Sequence, residues 1–272
     1  MKCKICKNST NEIFSANVLS KYSVKYFQCL SCEFIQTEKP YWLDEAYNDA
    51  IADLDVGYIT RNVSYSEIVN SIIKICFNSK LRFLDYGAGY GVFVRLMRDK
   101  GIKFFRMDKY CQNLFSKYFD VNDQQKQDNF ELITAFEVFE HLEDPMKEIK
   151  EMFAFSDSIL FSTLVQPNHS LKNSNDWWYF LPETGQHVAF YSKESLKYIA
   201  DYFNCNIYSN GKSLHLLTKK SFILNPIKII SYSHYAFNII FNRHFSNRKS
   251  LITNDFKNVK QILTKDSSID KK

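Results

Sequence analysis

From residue 81 onward, apolar positions fall into short runs, each followed by a polar turn and then by residues at helical spacing. The stretch LRFLDYGAG, starting at Leu81, is an apolar run broken by glycines and predicts a short buried strand. Val92, Val94, Leu96 and Met97 then recur so that they can face a sheet, predicting a helix that stops at Gly101. IKFFRMD, ending at Asp108, predicts the next strand, and the runs Leu132 to Ala135 and Ile159 to Thr163 predict two more. An acidic, histidine-containing turn after Ala135 leads into another helix, and Ser192 with Glu194 and Ser195 marks the start of a further one. Upstream, Ile68, Ile72, Ile75 and Cys76 share one face of a helix predicted over residues 64–77. A strand, a glycine loop and a helix in that order form the first unit of a parallel α/β fold.

At 272 residues and 45% hydrophobic content, the chain can bury one catalytic-size domain and a small accessory one. Its net charge of +5, from 35 Lys and Arg against 30 Asp and Glu, is too mild to demand a nucleic-acid partner, and none is expected. The start, MKCKICKNSTNEIF, lacks the apolar core of a signal peptide, and no uncharged apolar run approaches the roughly 18 residues of a membrane span, so a cytoplasmic location is expected. In that reducing compartment cysteines are read as metal ligands or packing rather than disulfides.

Cys3-x-x-Cys6 and Cys29-x-x-Cys32, separated by 22 residues, have the spacing of a four-cysteine zinc site. Four thiolates close the shell and leave no position for water, so the expected Zn2+ is structural. Cys76, Cys111 and Cys205 are isolated and read as packing. Four stretches follow: a zinc-binding module over 1–40, a helical linker over 41–80 that contains Arg61, read as solvated surface, a main domain over 81–220, and a helical C-terminal extension and tail over 221–272.

The chain has only seven glycines, and Gly87, Gly89 and Gly91 occupy alternate positions just after Asp85. A dinucleotide fingerprint from Gly87 would need its third glycine at residue 92, which is Val92. The pattern Asp85-x-Gly87-x-Gly89-x-Gly91 instead resembles the first motif of class I S-adenosylmethionine (SAM)-dependent methyltransferases. Asp108, at the end of the next strand, matches the acid that holds the ribose hydroxyls in that family. EVFEHLEDP resembles the E-V-x-E-H-x-x-D-P stretch of members that modify small molecules and glycans. That resemblance puts Phe136 and Glu137 near the cofactor and His141 near the transferred methyl. Trp177, Trp178 and Tyr179 are costly to expose, so they either pack on the core or wall a ligand. GQHVAFYSKESL resembles the same subfamily, in which a histidine-aromatic strand faces the acceptor.

Over residues 1–218 the chain resembles a bacterial class I methyltransferase with an N-terminal zinc-binding region, of the type associated with surface-polysaccharide or sugar biosynthesis. The resemblance implies an α/β, Rossmann-like sheet with a small N-terminal zinc module and a helical C-terminal extension. One departure stands out: residues 109–129 leave little room for the usual helix and third strand with its adenine-binding acid, for which Asp120 and Asp123 are the available substitutes.

The expected reaction is methyl transfer from SAM to a sugar or glycan precursor, as O-methylation in surface-polysaccharide biosynthesis. His187 or His141 would be the base, with His187 preferred because aromatic residues surround it. Three alternatives remain open: C-methylation of a nucleotide-linked keto sugar, ribosomal RNA methylation, and a non-catalytic zinc scaffold. Against RNA, the Asn-Pro-Pro-aromatic motif for exocyclic base nitrogens is missing. The basic, apolar stretch after residue 220 suits peripheral membrane contact, self-association, or folding over its own domain.

Overall fold

The computed structural model of the chain describes residues 1–47, 54–123, 129–233, 256–257 and 260–261. Strands β1 (Thr10–Val18), β2 (Tyr22–Cys29) and β3 (Ile35–Thr37) form an antiparallel meander, followed by the short helix α1 (Leu43–Ala46) and the long helix α2 (Tyr58–Cys76). Next come β4 (Arg82–Tyr86), α3 (Val92–Asp99), β5 (Lys103–Met107), β6 (Leu132–Ala135), α4 (Pro145–Phe155) and β7 (Ser158–Ser162). These are followed by β8 (Ala189–Phe190), α5 (Lys193–Tyr202), β9 (Asn206–Ser209) and β10 (Leu214–Thr218).

Six strands form the main sheet in the order β5-β4-β6-β7-β10-β9, with β5, β4, β6 and β7 parallel and β10 antiparallel to both its neighbours. Helices cover both faces, which is why β6 and β7 are buried at every position and read as unbroken apolar runs. This is the Rossmann-like layering expected of the sequence. Among the described residues no strand lies beyond β5. The connection after Asp108 contributes only a one-residue bridge, Arg106 to Asp120, and a turn of 3-10 helix at Val121–Asp123.

Local chemistry accounts for the element ends. Asp144 caps α4 by accepting from the Lys147 N–H, with Pro145 at the first helical position. Ser192 and Ser195 form a reciprocal capping box at the start of α5.

α2 begins six residues earlier than its predicted start and buries Ser66, Val69, Ile72 and Ile73, while Ile75 is 70% exposed. Ile68 and Cys76 pack against the same core as Ile72, so of the predicted stripe only Ile75 turns outward, and Val69 and Ile73 take the place expected of it. The stretch 41–80 also does more than link, because α2 packs with Phe83, Phe93, Phe104 and Leu132 in one core on the main sheet.

The N-terminal meander is likewise built into the main domain. β8 pairs with β3 and completes a four-stranded sheet β1-β2-β3-β8. Trp42 donates its indole N–H to the Gly185 carbonyl at 2.8 Å, Gln186 donates to the Ala46 carbonyl at 2.8 Å, and Ser192 donates to the Cys32 carbonyl at 2.6 Å. Residues 185–192 are therefore held from both sides. Of the C-terminal extension, residues 226–233 are helical and bury Ile227 and Ile230 against the main domain. Most of the remainder lies outside the described residues. No described helix is long and apolar enough to cross a membrane.

Candidate active site

The C-terminal ends of β4, β5 and β6 open into a cleft of about 970 Å³, where ligands of open α/β sheets bind. Asp85, Gly87, Gly89, Asp108, Phe136, Glu137, His141, Trp178, Tyr179 and His187 line it, as far apart in sequence as 102 residues. Gly91 and Trp177 do not. Gly91 has φ +87° and starts α3, where a Cβ would collide with Ser116. Gly87, at φ +68°, would strike Val138 at 2.5 Å if it carried a Cβ. All three loop glycines have positive φ, and at Gly87 and Gly91 neighbouring side chains also leave no room for a Cβ. Trp177 packs with Phe14, Tyr26, Phe180 and Phe190 in the core of the four-stranded sheet, which corrects its expected place in the acceptor wall. Trp178, 59% exposed, stands at the rim.

The glycine loop is braced from beneath. Asp108 accepts the Gly89 N–H at 2.8 Å on one oxygen and the Tyr110 and Cys111 N–H groups at 2.8 and 2.7 Å on the other. Arg106, almost fully buried, donates to the Gly89 carbonyl and the Cys111 carbonyl and pairs with Asp120 at 2.7 Å. Asp120 therefore stabilises the loop through Arg106. Asp85 lies at the cleft floor, receives the Thr134 hydroxyl at 2.6 Å, and is pushed up to about 7 by burial.

Glu137 adopts φ +53°, a costly conformation for a non-glycine residue. It is held there by Ser162, whose hydroxyl accepts the Glu137 N–H and donates to its carboxylate, both at 2.7 Å. Arg61 of α2 forms a two-pronged bond to Asp55 at 2.6 and 2.7 Å and reaches Glu137 at 3.6 Å. Read from sequence as surface, Arg61 is in fact a cleft residue. The signal was the α2 face Tyr58, Arg61, Asn62 and Tyr65, all of which line the cleft. Tyr65 stacks on Phe136 at 4.3 Å.

At the other end the rings of His141 and His187 meet edge to face at 5.0 Å. His187 Nδ1 donates to the Tyr179 carbonyl at 2.7 Å, which leaves Nε2 as an acceptor. Burial holds His187 down at about 4; burial and then His187 hold His141 at about 3. Both imidazoles are neutral at physiological pH. Tyr47, whose role sequence did not reveal, shares a 3.0 Å hydrogen bond with His141 Nδ1. Glu140, beneath them, is fully buried and pushed up to about 8 by burial and then by the Glu137 charge.

Away from the cleft, Cys3, Cys6, Cys29 and Cys32 converge, with Sγ–Sγ distances of 3.6 Å for Cys3–Cys32 and 3.3 Å for Cys6–Cys29. Zinc–sulfur bonds of about 2.3 Å put tetrahedral sulfurs roughly 3.8 Å apart, so the four thiols fit such an ion with a slight expansion. Backbone N–H groups of Ser31 and Cys32 point at the Cys29 sulfur, as they do where a thiolate is bound in a tight turn.

Residues 60–210 match the family Methyltransf_23, described as a methyltransferase domain, and the chain belongs to that family. Its class is SAM-dependent methyltransferase. Among solved structures, the plantazolicin methyltransferase BpumL in complex with SAH is similar at 12% identity and a TM-score of 0.46, over 67% of this chain and 95% of that one. Magnesium protoporphyrin IX methyltransferase (ChlM) from Synechocystis PCC 6803 with bound SAH is similar at 13% identity and a TM-score of 0.42, over 66% of this chain and 97% of that one. No curated protein matches the chain.

Proposed function

We propose that this methyltransferase acts in the cytoplasm on a sugar or glycan precursor, transferring the methyl of SAM to a hydroxyl in surface-polysaccharide biosynthesis. The observation that carries the reading is the placing of two neutral imidazoles, His141 and His187, beside Trp178 and Tyr179 in the same cleft as the glycine loop. Aromatic faces suit the apolar face of a sugar ring, and imidazoles suit its hydroxyls.

SAM supplies an electrophilic methyl on a sulfonium. Gly87, Gly89 and Asp108 would bind it at the loop, Asp85, Phe136 and Glu137 would line its methionine end, and Gly91 would act by setting the start of α3. Transfer needs acceptor oxygen, methyl carbon and sulfur in line, so the main contribution of the walls is alignment. His187 Nε2 takes the hydroxyl proton as the oxygen–carbon bond forms and the carbon–sulfur bond breaks. The sulfonium charge disappears as the imidazolium charge appears, so net charge in the cleft is unchanged by the step. Trp178 and Tyr179 position the acceptor, with Trp177 supporting them from the core.

Cys3, Cys6, Cys29 and Cys32 hold a structural zinc ion in this account. Because β3 pairs with β8, that ion would stiffen the strand that follows His187. Deleting the gene and comparing surface polysaccharide and nucleotide-sugar pools by mass spectrometry tests the acceptor: one missing methyl group on a sugar is expected, and unchanged sugars would refute it.

A further inference from the structure

The acceptor end of the cleft contains a cluster that transfer from a sulfonium does not by itself require. One ligand atom each from Glu140, His141 and His187 lies within 4.8 Å of the others. Glu140 is fully buried, and neither of its carboxylate oxygens has a partner in hydrogen-bonding geometry among the described residues. The Tyr179 phenol and the Glu140 backbone N–H lie close enough to favour its charged form, yet neither meets a carboxylate oxygen in hydrogen-bonding geometry. Buried polar groups are normally paired, and an orphaned carboxyl aimed at two imidazoles calls for a missing partner.

The imidazoles are already oriented as ligands would be. A metal-bound histidine usually gives its second ring N–H to a backbone carbonyl or similar acceptor. His187 does this with Tyr179 at 2.7 Å, and His141 is tethered through Nδ1 to the Tyr47 hydroxyl at 3.0 Å. Around an ion with bonds of about 2.1 Å, neighbouring ligands lie roughly 3 Å apart and opposed ones roughly 4.2 Å apart. The observed cluster needs only small side-chain rotations to reach that spacing.

We propose that Glu140, His141 and His187 form a divalent-cation site in which the acceptor hydroxyl fills an open coordination position. This inference rests on the methyltransferase reading of the cleft and deepens it. Two imidazole nitrogens and one carboxylate oxygen suit a first-row ion such as Mn2+, Fe2+, Co2+ or Zn2+ rather than Ca2+. Three protein ligands leave room for substrate, unlike the closed four-sulfur shell of the cysteine cluster. With an ion bound, His187 is a ligand rather than a proton acceptor. The coordinated hydroxyl then releases its proton to solvent, its oxygen bonds to the methyl carbon, and the carbon–sulfur bond breaks to leave a neutral thioether.

Full-length protein holding one equivalent of Zn2+ for the four-cysteine cluster and freed of excess zinc is titrated with Mn2+, with the free aqueous ion followed by electron paramagnetic resonance and SAH binding measured by calorimetry on the same sample. One Mn2+ per chain is expected, with its Kd raised at least about 10-fold in both Glu140→Gln and His187→Gln and SAH affinity preserved. Free Mn2+ throughout the titration of a sample that binds SAH would overturn the cation site alone, as would unchanged Mn2+ affinity in both variants. A sample that fails to bind SAH would overturn the methyltransferase reading as well. If the variants do not fold, the wild-type protein decides: bound Mn2+ should broaden the ring-proton resonances of two histidines, and broadening of none would overturn the site.

Discussion

His187 Nδ1 lies 2.7 Å from the Tyr179 carbonyl oxygen, and since a carbonyl can only accept, the ring keeps its proton there and turns its Nε2 lone pair outward. The segment that carries it is anchored by Trp42, Ala46 and Cys32, so the imidazole is positioned by the N-terminal sheet as much as by the methyltransferase core.

Replacing His187 by Ala should therefore lower kcat by about 10²- to 10⁴-fold, because the acceptor hydroxyl loses the group that activates it, as proton acceptor or as ligand of the proposed cation. SAM affinity should change less than about 2-fold, because the glycine loop is built independently of this wall. Single-turnover kinetics beside calorimetry would separate the two effects, and an undiminished kcat would remove His187 from the chemistry.

Asp85 provides a test in pH. Burial raises its carboxyl from 3.8 to about 7 in the folded chain, so between those values the folded state binds more protons than the unfolded one. The neutral form is the one the fold favours, and stability present below about pH 4 should decline as pH rises through about 7. Asp85→Asn should flatten that decline and raise the urea midpoint at pH 8 relative to wild type, while weakening SAM binding. Parallel pH profiles for both proteins would contradict this assignment.

Arg61 neutralises Asp55 and Glu137 at the cleft wall. Arg61→Met should cost roughly 1 kcal/mol of stability, limited by the partial exposure of the pair. It should also raise the KM for SAM or acceptor by leaving Glu137 uncompensated beside the buried Glu140. Urea denaturation and steady-state kinetics on the same preparation would show both changes, and a variant identical to wild type would return Arg61 to the status of surface residue.

One tightly held zinc ion per chain is expected at the four cysteines by elemental analysis after excess metal is removed, and Cys3→Ser should abolish it. Loss of the ion should lower Tm by more than about 5 °C. It should also speed amide exchange at Ala189 and Phe190, because β8 is paired with β3 of the cysteine module. Exchange confined to residues before 40 would show that the two sheets are energetically separate.

The parallel strands were readable in the sequence because burial on both faces makes them continuous apolar runs, and β6 coincides with the predicted Leu132 to Ala135. The glycine loop and the cysteine pairs were readable for a different reason, since their spacing is local. Contacts across long separations were not. Arg61 meets Glu137 and Tyr47 meets His141 only after the chain has folded, and no local pattern marks either pair. Trp177 and Trp178 show the same limit most sharply: two adjacent, identical residues are 8% and 59% exposed. The antiparallel pair β9 and β10 escaped notice although its turn is local: Asn210-Gly211 is a hairpin signal, and the Asn210 side chain accepts from the N–H groups of Lys212, Ser213 and Leu214.

Assignment of the acceptor as a sugar is tested by transfer of a labelled methyl from SAM, by purified protein, into small-molecule, nucleotide-sugar and RNA extracts of the source organism, with His187→Ala as the control. Label is expected in one sugar-bearing product, as a methyl ether, at a rate at least about 10²-fold lower with the variant. Label in RNA alone, or no transfer by protein that binds SAM, would contradict it.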